Sequence, residues 1–184
     1  MIRILDIVLS ALGIGVLFPL LVVIYLIGLI DNGAPLFWQE RVGLNKKGFR
    51  LVKFRTMRQD TASVATHLVS KSSVTPLGCF LRKTKLDELP QLWNVIKGEM
   101  SLVGPRPGLF NQVELMLSRE KLGVYKVRPG ITGLAQVNNI DMSIPDKISK
   151  FDAEMIANFN LKMYLKLICF TFLGKGQGDC ISEE

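Results

Sequence analysis

The sequence is short of the residues on which many hydrolases and metalloproteins depend. It has one histidine, His67, among 184 residues. A multi-histidine metal site is therefore excluded, and a Ser-His-Asp arrangement would rest on that single imidazole. His67 falls in a polar, Ser- and Thr-rich stretch, residues 60–75, that reads as a mobile loop and suits a solvated side chain. The three cysteines, Cys79, Cys169 and Cys180, are far apart and form no CxxC pair. A disulfide framework or a thiolate zinc site does not fit that spacing, and free thiols suit a reducing compartment. The chain has neither GxGxxG nor a P-loop, so neither of those phosphate cradles is available. No internal repeat and no second boundary within the body stands out.

Apolar residues and positive charge are plentiful. Hydrophobic residues make up 48% and charged residues 21%, too apolar for a disordered chain. Lys and Arg number 23 against 16 Asp and Glu, a net +7. That balance favours nucleic acid, acidic lipid or phosphorylated substrates. From Ile7 to Ile30 the chain carries no charge. As a helix this stretch is about 36 Å long, enough to cross a hydrocarbon core of about 30 Å. It exceeds a signal-peptide core and lacks an A-x-A-like site. Asp31, Asn32, Gly33 and Pro35 end it. Pro19, with Gly13 and Gly15 before it, predicts a kink near Phe18-Pro19. Arg3 flanks one end; Arg41, Lys46, Lys47 and Arg50 flank the other, so the positive-inside tendency draws both ends to the cytoplasm. A helix bent at its middle that enters and leaves on one face satisfies this. An ordinary kinked span is the equal alternative on charge and kink alone.

The body after Pro35 mixes short elements. Leu36–Val42 and Phe49–Phe54 read as strands joined by a hairpin turn over Gly43–Gly48. Leu77–Leu81 is a short helix or turn. Thr84-Lys85-Leu86-Asp87 fits a capping box, which predicts a helix from there through Ile96, ended by Gly98. Gly104–Gly108, with two prolines, is a rigid loop; Asn111–Leu122 is helical; Pro129–Gly133 is a fixed turn. Ile144–Gly174 reads as one or two amphipathic helices, suited to a headgroup layer or equally to packing on the body. The fold class is α+β: a mostly helical, membrane-associated domain with a short β-hairpin. Residues 1–32 form the membrane helix and 33–184 the remaining domain.

Two features could carry chemistry. Asp87-Glu88 follows Arg82, Lys83 and Lys85. Acids in a first helical turn are commonly structural. Yet paired carboxylates beside cations could also bind Mg²⁺ around a phosphate, and an ordinary aspartate is ionised at pH 7 and can attack phosphorus without a base. The second feature is cations on stiff backbone: Lys53, Arg55 and Arg58 in and after a strand, Arg106 between Pro105 and Pro107, and Arg128 before Pro129-Gly130. An arginine fork matches phosphate oxygens. A solvated basic face explains most of these, but an ordinary surface charge has no need of Pro-Arg-Pro rigidity. Trp38, Trp93 and Phe54 read as core or interface anchors.

Four ordered segments, Lys53–Met57, Lys85–Val95, Met100–Pro107 and Arg128–Gly133, together resemble the bacterial sugar transferases, the small monotopic phosphoglycosyl transferases in their minimal catalytic form. The resemblance runs from Arg3 to about Gly178. It implies transfer of a sugar phosphate from a UDP-sugar to undecaprenyl phosphate with release of UMP. This is the first membrane step of O-antigen, capsule, exopolysaccharide or glycoprotein assembly. It further implies Mg²⁺ as cofactor, Asp87 as the nucleophile of a covalent phosphosugar intermediate, and Glu88 as its partner, a general base or metal-site residue. Lys53, Arg55, Arg82, Pro105, Arg106, Pro107 and Arg128 fall at substrate- and phosphate-binding positions. The location implied is the bacterial inner membrane with the site on the cytoplasmic face; the partners are the two substrates and lipid, without nucleic acid, and a homodimer is left open. The family's N-terminal helix is re-entrant and breaks at a Ser-Pro pair. Here Phe18-Pro19 occupies that place, so the break at Pro19 lacks the hydroxyl. Val137–Ile140 also departs from the family by lacking Gly-Arg. An N-acetylated UDP-sugar is the first expectation, with UDP-galactose and UDP-glucose open. A membrane-anchored polyanion-binding module or inactive adaptor is the competing class.

Overall fold

The computed structural model describes residues 1–59 and 73–176. His67, Cys180 and most of the polar 60–75 stretch lie outside those residues. The chain begins with α1 (Ile2–Asn32), one helix of 31 residues. It runs through Pro19 without interruption, so the expected break at Phe18-Pro19 is not present as a gap in the helix. Gly33, at φ 69°, closes it, its amide donating to Leu29 O at 3.0 Å. Only a narrow stripe of α1 is covered: Asp6, Ser10, Ile24 and Gly28 are buried. The rest stays apolar and open, with Val16 76% and Ile30 89% exposed. Such a surface suits lipid rather than water, and the helix is long and apolar enough to cross a membrane.

Two small sheets organise the body. β1 (Leu36–Val42) and β2 (Gly48–Phe54) form the expected antiparallel hairpin, with Phe37 opposite Lys53 and Val42 opposite Gly48. The turn places Asn45 and Lys46 at φ 52° and 61°. β3 (Ser101–Val103) pairs in parallel with β4 (Gly130–Thr132). Sequence reading made Pro129–Gly133 a turn only; the parallel partner 29 residues away turns its middle into a strand. Glycine permits the close approach: a Cβ on Gly104 would lie 2.5 Å from Arg128 O, and one on Gly130 2.0 Å from Gly104 N.

Helices cover these sheets: α2 (Pro76–Thr84), α3 (Gln91–Lys97), α4 (Val113–Lys121), α5 (Leu134–Val137), α6 (Pro145–Ala157) and α7 (Leu161–Phe172). The capping box at Thr84 does not form. The Thr84 hydroxyl instead donates back to Phe80 O at 2.9 Å, because Thr84 ends α2 rather than starting the next helix. The helix expected from Thr84 through Ile96 starts only at Gln91, with Pro90 at its N-cap, while α2 itself is capped by Thr75, whose side chain accepts from Gly78 N at 2.9 Å. The tail forms two helices. α6 buries Ile148, Ser149, Asp152 and Met155, so it packs on the body. α7 buries Tyr164 and Leu167 but leaves Leu165 and Phe172 exposed.

The core is a chain of apolar clusters. Phe49 and Leu51 of the hairpin meet Val95 and Met100. Ile24 of α1 meets Phe54 and Leu81, while Ile2 and Leu5, at its other end, pack near Val103, Tyr164 and Leu167. Each buried aliphatic or aromatic side chain contributes about 1.5–3 kcal/mol. The same α1 end carries a buried polar anchor. Asp6 Oδ1 accepts from Ser101 Oγ, Leu102 N and Tyr164 OH at 2.9–3.0 Å. Arg3 donates to Val95 O at 2.7 Å and Ile96 O at 3.2 Å, carbonyls in the last turn of α3, where a cation is favoured.

Candidate active site

Asp87 and Glu88 stand on a 3-10 turn, Leu86–Glu88, reached by a sharp reversal at Lys85. Lys85 adopts φ 58°, and its amide closes α2 on Arg82 O at 3.2 Å. The reversal drives Asp87 inward until it is 2% exposed. Glu88 faces the Pro-Arg-Pro loop, where its Oε1 accepts from Arg106 Nη2 at 2.9 Å. Arg106 joins Arg41, Leu51, Lys53, Gln91, Pro107 and Gly130 around a shallow cleft. Strand alternation puts Leu51 and Lys53 on one face of β2. Lys53 is 8% exposed, and its ammonium lies 6.0 Å from the Phe37 ring centroid. The cleft thus gathers three cations, one of them bonded to the half-buried Glu88, whose neighbour Asp87 is buried.

The other expected cations do not line that cleft. Arg82 is buried, its Nε donating to Thr56 Oγ1 at 2.9 Å. Arg55 turns to the strand's outer edge, donating to Ala34 O and Leu36 O and stacking over Phe37 at 5.3 Å. Arg128 donates to Gly98 O at 2.9 Å on an exposed edge. Pro105 lines a second, small cavity behind the loop, which Arg106 and Pro107 border from both sides.

Sequence reading passed over four residues. Arg41 lines the cleft and donates to Pro107 O at 3.1 Å. Gln91 lines it from the start of α3. Behind the loop, Arg119 and Asp152 form an ion pair with Nη2 to Oδ2 at 2.7 Å, both side chains at most 2% exposed. The signal for that pair was an aspartate at a core position of α6, between Ile148 and Met155, where an acid needs a partner. Burial raises the Asp152 pKa, with attraction and hydrogen bonding from Arg119 opposing the rise. Burial likewise raises that of Tyr125, which lines the same rear cavity, again against the pull of Arg119.

Among the described residues no cluster of three or more His, Cys, Asp or Glu exists. Mg²⁺ commonly takes one or two carboxylates plus substrate phosphates rather than a dedicated protein cage. Asp87 and Glu88 are hard oxygen donors, so this donor set fits Mg²⁺ bound together with a phosphorylated substrate.

A family model described as bacterial sugar transferase matches residues 1–175. The chain belongs to that family. Several curated sugar transferases are similar to it. An uncharacterized sugar transferase, EpsL of Bacillus subtilis, is 39% identical over 140 residues, 76% of this chain and 69% of that protein. The UDP-glucose:undecaprenyl-phosphate glucose-1-phosphate transferase of Caulobacter vibrioides is 43% identical over 143 residues, 75% of this chain and 54% of its own length. A UDP-galactose-lipid carrier transferase of Erwinia amylovora is 37% identical over 180 residues, 86% of this chain and 37% of its own. This sugar transferase thus spans between about a third and seven-tenths of the length of these relatives.

Proposed function

We propose that the protein is a phosphoglycosyl transferase that moves a sugar phosphate from a UDP-sugar to undecaprenyl phosphate and releases UMP. One observation carries the reading. A buried Asp87 and its half-buried neighbour Glu88, which is bonded to a proline-locked arginine at 2.9 Å, meet through that arginine a cleft that also holds Lys53 and Arg41. A solvated basic face would not bury Lys53 and Asp87. Both proposed substrates carry phosphate, and one is a lipid, which suits a cationic cleft attached to an apolar helix. The names of the relatives point to UDP-glucose or UDP-galactose ahead of an N-acetylated sugar.

In this reading an Asp87 carboxylate oxygen attacks the sugar-bearing phosphorus. The phosphoanhydride bond breaks and UMP leaves with the bridging oxygen and its electron pair. An oxygen of undecaprenyl phosphate then attacks the same phosphorus, breaking the bond to Asp87 and restoring the carboxylate. Splitting one transfer into two displacements lets a single nucleophile serve both substrates. Lys53, Arg41 and Arg106 hold the phosphates and offset charge as it shifts between oxygens, the main task in phosphoryl transfer. Arg106 can exchange Glu88 for a phosphate oxygen, since that pair is partly open to solvent. Glu88 is then available to a metal or a proton. Mg²⁺ held by Asp87 and Glu88 would neutralise phosphate charge.

Residues 1–32 are the membrane segment of this reading and the rest the catalytic domain, on the cytoplasmic face of the bacterial inner membrane. The covered stripe on α1 supports a monotopic placement. The body packs on both ends of the helix, at Ile2 and Leu5 and again at Ile24. A body confined to one side of a bilayer would meet only one end of a spanning helix. The test is UMP release from UDP-glucose, UDP-galactose and N-acetylated UDP-sugars with undecaprenyl phosphate and Mg²⁺. Wild type should release UMP with one of them, and Asp87→Asn should not while still inserting in membranes. No release by folded, membrane-inserted wild type would favour the adaptor reading; wild-type turnover by Asp87→Asn would remove the nucleophile assignment.

A further inference from the structure

The loop that presents Arg106 is held from behind. Four successive carbonyls accept hydrogen bonds from four different donors. Gly130 N reaches Pro105 O at 2.9 Å and Val42 N reaches Gly108 O at 3.0 Å. Between them, Arg119 Nη1 reaches Arg106 O at 2.8 Å and Arg41 Nη1 reaches Pro107 O at 3.1 Å. Two amides are ordinary for a packed loop. A fully buried guanidinium on the carbonyl of the cleft arginine is not, because it brings a charge that must be neutralised. Asp152 supplies the counter-charge: its Oδ2 accepts from Arg119 Nε at 3.0 Å and Nη2 at 2.7 Å.

The rear pair also completes what the prolines leave undone. Pro105 and Pro107 each fix their own φ, and Pro107 restricts Arg106 to extended backbone. The direction of the Arg106 peptide plane is what remains, and Arg119 grips its oxygen. The planar fork leaves Arg119 Nη1 little freedom once its other edge is seated on Asp152. Buried ion pairs seldom add stability over an apolar pair of similar volume, so stability alone is a weak reason for this one. We propose that Arg119 and Asp152 are positioning residues that set the direction from which Arg106 addresses the cleft. The inference rests on the phosphoglycosyl-transfer reading of that cleft.

The test is a cycle of variants on the full-length, membrane-inserted protein. Arg119→Met with Asp152→Leu replaces the pair by apolar side chains, a change that commonly preserves folding. It removes the bond to Arg106 O. Its kcat for UMP release should fall about tenfold or more, as small misplacements of a positioned group do, while its unfolding midpoint stays near wild type. In an Arg106→Ala background the same replacement should cost less than about twofold, since its target is gone. Wild-type kcat in the folded apolar-pair variant, or an equal loss in the Arg106→Ala background, would overturn the proposal. Should that variant not fold, Arg119→Lys, which keeps the charge but not the fork, enters the same cycle with the same two criteria. Amide hydrogen exchange at Arg106, Gly108 and Leu109 gives a readout independent of turnover. Exchange should quicken there in whichever variant folds, and unchanged exchange would count against positioning. If wild type releases no UMP with any sugar while exchange responds as expected, the reaction assignment fails and the loop inference stands.

Discussion

In front of the Pro105–Gly108 loop Arg106 meets Glu88; behind it Arg119 meets Asp152. The closest N–O distances are 2.9 and 2.7 Å, but the front side chains keep 25% and 12% of their surface and the rear ones 2% and 1%. The same chemical pair therefore serves two ends. The front pair lies where a phosphate oxygen or a metal can replace one partner at little cost. The rear pair has no room for exchange, and removing either member leaves a buried charge unmatched. A site built from a rigid rear and an exchangeable front keeps its geometry while its ligands change.

Four experiments would break or sharpen that contrast. The largest effect is expected from removing divalent metal, which should act on the front alone: chelation should bring UMP release close to zero and added Mg²⁺ restore it, with the unfolding midpoint little changed. Turnover that persists in chelator would remove Mg²⁺ from the site. Next, Asp152→Ala should destabilise the protein by about 3–5 kcal/mol by stranding Arg119, measured by unfolding in detergent, whereas Glu88→Gln should leave the midpoint near wild type. Comparable midpoints for the two would erase the difference between rear and front. Third, Arg106→Ala should lower kcat/KM by about ten- to a hundredfold, the loss of a hydrogen bond to a charged group worth about 1.5–3 kcal/mol. Lys121→Ala, at the exposed end of α4, should not change it; equal losses would return Arg106 to a solvated basic face.

The smallest effect concerns a second rigid network, at the amino end of α1. Burial, the Asp6 charge and its hydrogen bond raise the Tyr164 pKa. The folded protein therefore holds this phenol neutral at a pH above about 10, where the unfolded chain ionises it. The unfolded state then binds fewer protons, so stability falls as pH climbs past that value. Tyr164→Phe should cost about 1 kcal/mol at neutral pH and flatten the alkaline decline in unfolding midpoint. An unchanged slope would show that Tyr164 does not lose its proton differently in the two states.

Much of the site was legible in the chain. Charge-free length marked α1, two strand-like runs around a glycine-bounded turn marked the hairpin, and Pro-Arg-Pro marked the one arginine that a solvated face would not need. The misread helix start at Thr84 has a physical cause. Thr84 has the residue pattern of a helix start, but local chemistry cannot tell the end of one helix from the beginning of the next when a single left-handed residue, Lys85, separates them. Nor could the chain show that Arg55 and Arg128 donate to backbone carbonyls while Lys53 and Arg106 line the cleft.

By itself, then, the sequence determined the apolar helix, the two hairpin strands, the stiff loop and the adjacent carboxylates, because each follows from residues within a few positions of one another. Tertiary structure alone decided the parallel β3–β4 pair, the inward turn of Asp87, the place of Arg41 and Gln91 at the cleft, and the union of Arg119 with Asp152 across 33 residues. Those depend on which distant backbone a side chain meets, and on burial that makes a charge seek its partner.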